Sequence, residues 1–201
     1  MIEWSIDAFR ACGSVRRIVV ATPPGQVHDL GGERAGGDAG DCELDAVEGG
    51  ANRARSVANA LAGVDTALVA IHDAARPLLT PELVEALVAR LEDAPGAAGV
   101  IAATPVTDTI KRVAAESVGE TLDRSELWAA QTPQLFRTEP LREALASSPS
   151  PEPATDEAML VERAGGTVLI HPCGPENLKV TTRLDLRVAE LLLAERSVAQ
   201  Q

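Results

Sequence analysis

The sequence predicts an α/β fold in which a mostly parallel sheet is covered by helices on both faces. Short β-branched apolar runs alternate along the chain with longer segments whose apolar residues recur at helical spacing. The apolar fraction of 45% and the charged fraction of 24% are near the average of globular proteins and exclude general disorder. A length of 201 residues suits one domain, which we expect to span residues 1–201.

The first half of the chain alternates regularly between the two kinds of element. The clearest helix begins at Thr80, a suitable N-cap followed by Pro81 in the first turn, and it carries a single apolar stripe. The predicted helices of this half cover residues 2–9, 51–61 and 80–92, and the predicted strands cover 17–22, 66–71 and 99–103.

The second half continues the pattern with three helices and two short strands. Thr155 and Thr182 are predicted N-caps, and Gly165 is predicted to end the helix before it. The helices are expected at 138–147, 155–164 and 182–196, and the strands at 167–171 and 178–180.

Three segments interrupt the alternation. Residues 31–50 are rich in Gly and Asp and are predicted to form a flexible surface loop. Residues 106–124 alternate weakly around a Glu-Ser-Val-Gly turn and are predicted to form a protruding hairpin, the β-arm. A Pro/Ser stretch at 149–153 is predicted to be a linker.

Charge and cysteine content exclude several classes of protein. A net charge of −12 argues against nucleic-acid binding, which requires a surplus of Lys and Arg. Apolar runs are too short for a membrane span, and the first twelve residues lack the basic start of a signal peptide. The three widely spaced cysteines give neither a disulfide framework nor a metal site. We therefore expect free thiols and a cytoplasmic protein with no membrane partner.

The string His-Asp-Ala-Ala-Arg-Pro at 72–77 directly follows a predicted strand, where ligands of α/β proteins bind. Asp73 at this position can hold Mg²⁺, which takes a few carboxylate oxygens together with substrate phosphates. Arg76 can form charge-assisted hydrogen bonds to phosphate oxygens. The alternative is that Asp73 and Arg76 form a structural ion pair that shapes the turn.

A second string, Gly-Gly-Ala-Asn-Arg-Ala-Arg-Ser-Val at 49–57, places paired glycines before a predicted helix. Glycines let backbone N–H groups approach a flat base or a phosphate, and Arg53, Arg55 and Ser56 add side-chain donors. The alternative is an ordinary helix N-terminus after a turn.

Polar strings further along the chain suit a phosphorylated polyol. They are Asp-Thr-Ile-Lys at 108–111, Leu-Asp-Arg at 122–124 and Gln-Thr-Pro-Gln at 131–134, although each also fits a solvated hairpin. Asp156 and Glu157 in a first helical turn are explained by the helix dipole. Lys179 is one of only two lysines and stands in an apolar strand, where a point charge suits a transferring phosphoryl group.

In this order, the strings resemble the family of 2-C-methyl-D-erythritol 4-phosphate cytidylyltransferases over nearly the whole chain. The similarity begins at Glu3-Trp4-Ser5-Ile6 and takes in the glycine-pair string and the 72–77 string. It continues through the strings at 108–111, 123–128, 131–134, 155–158 (Thr-Asp-Glu-Ala) and 177–181 (Asn-Leu-Lys-Val-Thr).

The resemblance implies a Rossmann-like nucleotidyltransferase fold, a three-layer sandwich that dimerises through the β-arm. It implies that Mg²⁺ assists the joining of CTP to a polyol phosphate, with release of pyrophosphate. Gly50, Ala51 and Ser56 would then contact the cytosine, and Asp73 with Ala74 the ribose and the metal. Lys179, Arg76 and Asp73 would be the catalytic residues. The residues expected to line the methylerythritol phosphate site or the reacting phosphates are Thr109, Arg124, Thr132, Thr155 and Lys179. Thr109 and Arg124 would act across the dimer interface.

One departure from the family pattern affects the expected activity. Family members have a strand, a basic glycine-rich loop and a lysine before the Glu-Trp-Ser-Ile helix, whereas here Met1 immediately precedes that helix. The resemblance therefore predicts that the first strand is missing and that the 201-residue chain is weakly active or inactive. Two alternatives stay open: a cytidylyltransferase for another polyol phosphate such as ribitol 5-phosphate, and a truncated, non-catalytic homologue.

Overall fold

The computed structural model describes residues 1–26, 42–147 and 154–199. The predicted linker at 149–153 and residues 31–41 of the predicted loop lie outside the described residues. The helices are α1 (Ile2–Arg10), α2 (Arg53–Leu61), α3 (Pro81–Glu92), α4 (Thr138–Ala146), α5 (Glu157–Arg163) and α6 (Arg183–Ala199). The strands are β1 (Arg17–Thr22), β2 (Glu43–Glu48), β3 (Leu68–Ile71), β4 (Gly99–Pro105), β5 (Lys111–Ala114), β6 (Ser117–Thr121), β7 (Trp128–Arg137) and β8 (Val168–Pro172).

The central sheet has four strands in the order β3-β7-β4-β8. The α/β class is confirmed, but this sheet is mixed rather than mostly parallel. Strand β7 runs antiparallel to both β3 and β4, and only β4 and β8 are parallel within it. The reason is the β-arm: the chain leaves the end of β4, forms the arm and returns beside β4, and such a hairpin-like return is necessarily antiparallel.

Helices cover both faces of this sheet, as predicted. Successive residues of a strand point to opposite faces, so Val100 and Leu135 pack in one core cluster with α3. Ile101 and Phe136 pack in the other cluster, with α4 and α5. Phe136 is fully buried, and its ring lies so close to Gly99 that a Cβ there would be 2.3 Å from Cδ1. The result is a three-layer arrangement with two cores.

A second, two-stranded sheet pairs β1 with β2 in parallel, in register from Arg17 opposite Glu43 to Thr22 opposite Glu48. Strand β2 lies inside the segment 31–50 that was predicted to be a loop, so that prediction is wrong for residues 43–48. Its sequence, Glu-Leu-Asp-Ala-Val-Glu, has too few β-branched residues to predict a strand, and its pairing with β1 supplies the missing preference.

A cavity of about 690 Å³ lies between the two sheets. Residues of β1 and of β3 line it, together with apolar side chains of α1, α2 and α3. Within the described residues, β1 and β3 belong to separate sheets, so each presents one unpaired strand edge toward this side.

The β-arm is confirmed as a hairpin of β5 and β6. Its turn lies at Ala115 and Glu116, whose φ angles of 46° and 67° are left-handed, so it shares only Glu116 with the predicted Glu-Ser-Val-Gly string at 116–119. Two consecutive residues with positive φ give the tight hairpin turn that matches strand twist. None of the helices in the described ranges is long and apolar enough to cross a membrane.

Three further predictions of elements need correction. Strand β7 was not predicted, because its buried centre reads Gln-Thr-Pro-Gln, and polar residues with a proline argue against a central strand. Residues 178–180 form no strand, although the N–H of Val180 donates to the carbonyl of Ala75 at 2.8 Å. Helix α5 is capped by Asp156, whose carboxylate accepts from the N–H of Met159, and not by Thr155.

Candidate active site

The turn after β3 presents Asp73, and its backbone is fixed by a partly buried hydrogen-bond network. The N–H of Asp73 donates to Thr132 Oγ1 at 3.0 Å, which leaves the threonine proton to be donated to His72 Nδ1, also at 3.0 Å. His72 Nε2 then carries the ring proton and donates to the carbonyl of Arg76 at 3.2 Å. Burial lowers the pKa of His72 to about 4, so the ring is neutral at pH 7. Thr132, a predicted site residue, therefore shapes the Asp73 turn.

The carboxylate of Asp73 is held by two cations. Lys179 Nζ lies 2.9 Å from Oδ2, and Arg53 Nε lies 3.2 Å from Oδ1. The pKa of Asp73 is lowered below its usual value: burial raises it, but the hydrogen bond from Lys179 and the charge of Arg53 outweigh that effect. The sequence places Asp73 and Lys179 more than a hundred residues apart, and the fold brings them into direct contact.

Arg53 also pairs with a second carboxylate. Its Nη1 lies 2.7 Å and 2.6 Å from the two carboxylate oxygens of Glu157, whose side chain is only 1% exposed. Burial raises the pKa of Glu157, although the Arg53 charge opposes this. Lys179, Asp73, Arg53 and Glu157 thus form a continuous chain of alternating charges, which we call the Asp73 ion chain.

Helix termini position both ends of the Arg53–Glu157 pair. Arg53 is the first residue of α2, whose N-cap Asn52 accepts a hydrogen bond from the N–H of Arg55 at 2.9 Å. Glu157 is the first residue of α5. Buried Gln134 on β7 fixes that helix start, since its Nε2 donates to Asp156 Oδ2 and its Oε1 accepts from the N–H of Ala158. Thr155, a predicted substrate residue, is exposed immediately before this point.

Arg76 is buried and holds the segment that carries Lys179. Its side chain is not paired with Asp73; Nη1 donates to the carbonyl of Asn177 at 2.6 Å. The structural ion pair between Asp73 and Arg76 is therefore wrong as an explanation of the turn. Asn177 in turn donates through Nδ2 to Gln131 Oε1 and to the carbonyl of Thr132. Burial lowers the pKa of Arg76, but a guanidinium keeps its charge at neutral pH.

Two buried polar atoms beside Lys179 have no hydrogen-bond partner within the described ranges. They are Nε of Arg76 and Oδ1 of Asn177. Buried polar atoms without a partner are few in native proteins, because leaving them unpaired is costly. Both atoms belong to the residues that fix the Lys179 segment, so this part of the site is polar and incompletely paired.

The paired glycines form a tight loop whose backbone contacts explain the choice of glycine. A Cβ on Gly50 would lie 2.2 Å from Arg55 Cγ, and one on Gly49 would lie 2.9 Å from the carbonyl oxygen of Thr22. The N–H of Gly50 donates to Ser56 Oγ at 3.0 Å, and that hydroxyl donates to the carbonyl of Asn52. The alternative of an ordinary helix N-terminus accounts for the Asn52 cap but not for this Gly50–Ser56 closure.

The cavity between the sheets reaches the Asp73 ion chain. Its lining includes Arg53, Ser56, Asp73 and Ala74. Gly50 and Ala51 belong to the loop that precedes Arg53, and Ala51 is exposed. The residues predicted for the base, the ribose and the metal therefore lie on neighbouring loops.

The two arm residues lie apart from this group. Thr109 and Arg124 are exposed on the β-arm and its base, where Arg124 Nη1 donates to the carbonyl of Thr107 at 2.6 Å. In the described part of the chain, neither residue pairs with the Asp73 ion chain.

The sequence interpretation missed two members of the ion chain. Arg53 was noted only as a donor near the glycines, and Glu157 only as a residue favoured by the helix dipole. The available signal was weak: two charged residues in first helical turns, 104 positions apart, give no indication of contact. Gln134 was noted as part of a polar string, without the buried position that β7 gives it.

Comparison with known proteins identifies relatives of this chain. The family model described as "IspD: 2-C-methyl-D-erythritol 4-phosphate cytidylyltransferase" matches residues 1–195. The cytidylyltransferase of this name from Saccharopolyspora erythraea is 43% identical over 200 residues, covering 96% of this chain and 86% of that protein. The bifunctional IspD/IspF enzyme of Anaeromyxobacter dehalogenans is 44% identical over 199 residues, and the chain spans 50% of its length.

A solved structure agrees with these sequence relatives. The crystal structure of 2-C-methyl-D-erythritol 4-phosphate cytidylyltransferase from Thermus thermophilus superposes with a TM-score of 0.76 at 33% identity. The match covers 96% of this chain and 88% of that one. The predicted resemblance is therefore confirmed, and so is the nucleotidyltransferase fold that it implied.

Proposed function

The chain belongs to the family of 2-C-methyl-D-erythritol 4-phosphate cytidylyltransferases, and from that premise we propose that it transfers CMP from CTP to 2-C-methyl-D-erythritol 4-phosphate. The reaction serves isoprenoid precursor synthesis and releases pyrophosphate. The observation that carries the proposal is the 2.9 Å contact between Asp73 and Lys179, which joins two distant family strings in one site. We place the reaction in the cytoplasm; the thiols of Cys12, Cys42 and Cys173 are free, as expected in a reducing compartment.

The chemistry needs charge and position rather than a nucleophilic side chain. An oxygen of the substrate phosphate attacks the α-phosphorus of CTP in line; the new P–O bond forms as the bond to the bridging oxygen breaks, and pyrophosphate leaves. Lys179 supplies a point charge to the transferring group. Arg76 adds a second positive charge, and through Asn177 it holds the Lys179 segment in place.

Asp73 suits a magnesium ion that arrives with the nucleotide. No group of three or more His, Cys, Asp or Glu side chains that could hold a metal occurs among the residues that the structure describes. Mg²⁺ does not require such a cage, since it is commonly bound by one or two carboxylates plus substrate phosphates. Asp73 would hold the ion, which when bound neutralises charge on the phosphates.

The remaining sites are assigned from the resemblance to the family. The loop of Gly50 and Ala51, closed by Ser56, receives the cytosine, and Ala74 in the turn after Asp73 lies against the ribose. Thr132, whose carbonyl accepts from Asn177 Nδ2, and exposed Thr155, which precedes α5, are assigned to the methylerythritol phosphate. The nucleotide assignments are supported by Ser56 and Ala74 in the cavity lining, and the assignment of Thr132 by its hydrogen bond with the N–H of Asp73.

The β-arm joins two copies of the chain in this proposal. Val113 and Val118 on the arm are 59% and 62% exposed, an apolar surface that a partner subunit would cover. A homodimer formed through the arm brings Thr109 and Arg124 to the neighbouring site. Sedimentation of the wild-type chain and of Val118→Asp tests this: we expect a dimer and a monomer respectively.

A coupled assay of pyrophosphate release tests the reaction. We expect release at the low rate predicted from the sequence, only when CTP, Mg²⁺ and 2-C-methyl-D-erythritol 4-phosphate are all present, and none when ribitol 5-phosphate replaces the polyol. Asp73→Asn and Lys179→Met are each expected to lower kcat about 100-fold or more, with unchanged circular dichroism. The matched control Asp93→Asn, at the exposed end of α3, is expected to keep wild-type turnover. Wild-type turnover in either site variant would refute the assignment.

A further inference from the structure

The Asp73 carboxylate contacts two cations whose surroundings are very different. Arg53 Nε lies 3.2 Å from Oδ1, and Lys179 Nζ lies 2.9 Å from Oδ2. The two distances are similar. The distances alone do not show which cation stays on the carboxylate when a third positive charge approaches. The outcome depends on what else each cation contacts.

Arg53 cannot leave its position without leaving the buried carboxylate of Glu157 uncompensated. Both oxygens of Glu157 are bound by Arg53 Nη1, and the Glu157 side chain is 1% exposed. Moving the guanidinium away would leave an uncompensated carboxylate in a buried site, which is strongly unfavourable. Hydrogen bonds from Gln134 to α5 keep the start of that helix, and hence Glu157, in place.

Lys179 has no comparable constraint. Its side chain is 45% exposed, and Asp73 is the one carboxylate within 4.0 Å of its ammonium among the described residues. A lysine stem is long and flexible, and water can solvate the ammonium once it leaves. The backbone beneath it stays fixed, since the N–H of Val180 donates to the carbonyl of Ala75.

Resting on the function proposed above, we propose that Asp73 carries one permanent and one exchangeable cation. When magnesium-bound CTP occupies the site, Lys179 leaves Oδ2 and its ammonium becomes available to a phosphate, whereas Arg53 stays on Oδ1. Arg53 is thus a positioning residue: it orients the Asp73 carboxylate and is itself oriented by buried Glu157. Binding of the nucleotide then delivers the lysine to the reacting group.

The lysine content of the chain allows a direct test. Only Lys111 and Lys179 are present, so protein labelled with ¹³Cε,¹⁵Nζ-lysine gives two NMR signals, and Lys179→Arg assigns them. We expect the Lys179 signal to shift when MgCl₂ and CTP are added, without the second substrate. The Lys111 signal, which comes from the β-arm, is the internal control and is expected to stay unchanged.

Whether Arg53 stays on Asp73 is measured without any ligand, in protein labelled with ¹⁵N-arginine. We expect the Nε–H of Arg53 to exchange with water at least about 10-fold more slowly than that of Arg112, whose ion pair with Glu120 is exposed. Glu157→Gln is expected to abolish this protection. The matched control Glu139→Gln, which removes the exposed partner of Arg142, is expected to preserve it.

Each outcome distinguishes this proposal from the proposed function. Bound CTP, followed by calorimetry, with an unchanged Lys179 signal would overturn the exchange and leave the function intact. Absence of CTP binding would overturn both. Fast exchange of the Arg53 Nε–H in the wild-type protein would overturn the proposal that Arg53 is permanently bound to Asp73, whatever the protein catalyses.

Discussion

The two sheets of this protein differ sharply in how they are held. The four-stranded sheet has helices on both faces and fully buried residues such as Val100 and Phe136. The sheet of β1 and β2 has only Val20 and Thr22 buried among its residues, and one side of it borders the 690 Å³ cavity. The site spans both parts. The glycine loop follows β2, whereas Asp73 and Thr132 belong to the four-stranded sheet and its turns.

Because of this difference, the Asp73 ion chain also has a structural role between the two sheets. Arg53, at the start of the helix after β2, is bonded to Asp73 and Glu157, which follow or pack against the four-stranded sheet. The position of the glycine loop relative to the Asp73 turn therefore depends in part on a few polar contacts. The Arg53 guanidinium thus links the less tightly packed part to the well packed one, in addition to the apolar packing of Leu61 on α2.

Hydrogen exchange provides the broadest test of the comparison. We expect backbone amides of β4 and β7 to exchange only on global unfolding, and those of β1 and β2 by local opening, at least about 10³-fold faster. The physical reason is the smaller buried apolar area around the two-stranded sheet. Equal protection of both sheets, measured by mass spectrometry of peptides, would contradict the comparison.

A matched pair of core truncations gives the next largest effect. Leu135→Ala in β7 removes a side chain that is 3% exposed and is expected to cost about 3 kcal/mol of unfolding free energy. Leu44→Ala in β2, at a partly exposed position, is expected to cost about 1 kcal/mol or less. Urea denaturation of both variants measures the difference; similar costs would show that the two sheets are equally well packed.

Acidification tests the junction between the two parts. The ring of Phe9 on α1 packs edge-on against His72, with centroids 5.6 Å apart, beside the Asp73 turn. Burial lowers the pKa of His72 from 6.5 to about 4, so the unfolded chain binds a proton more readily than the folded chain between these values. Stability is therefore fully present above pH 6.5 and falls toward pH 4, by about 3 kcal/mol.

The control for this effect is His72→Gln, which retains hydrogen-bonding groups but has no proton to bind. The variant is expected to lack the His72 contribution between pH 6.5 and 4, so the wild-type and variant stability curves should converge as the pH falls. Parallel curves over that range would show that the ring is readily protonated in the folded protein.

Filling the cavity gives the smallest expected effect. Ala60 on α2 lines the cavity, so Ala60→Leu adds apolar side chain where space is available and is expected to stabilise the fold by about 1 kcal/mol. Ala58→Leu is the control, since it makes the same change on the same helix outside the cavity lining. A thermal shift of equal size in both variants would show that cavity filling is not responsible.

The sequence by itself determined the elements with strong local signals and the strings that carry the chemistry. Periodicity and capping located α3 and α4 closely, weak alternation located the β-arm, and the position of Asp73 after a strand indicated a ligand site. These features depend on neighbouring residues, and their signals are therefore present in short stretches of sequence.

Only the tertiary structure decided the features that depend on distant partners. Gln134 and Pro133 lie in the buried centre of β7, although their own sequence disfavours a strand there. The neighbouring strands and the hydrogen bonds of Gln134 at the start of α5 compensate for this. Glu157 is buried because Arg53 reaches it from another helix. Hydrogen bonds and charge compensation across the fold have no fixed spacing in sequence, and the Asp73 ion chain is formed entirely by such contacts.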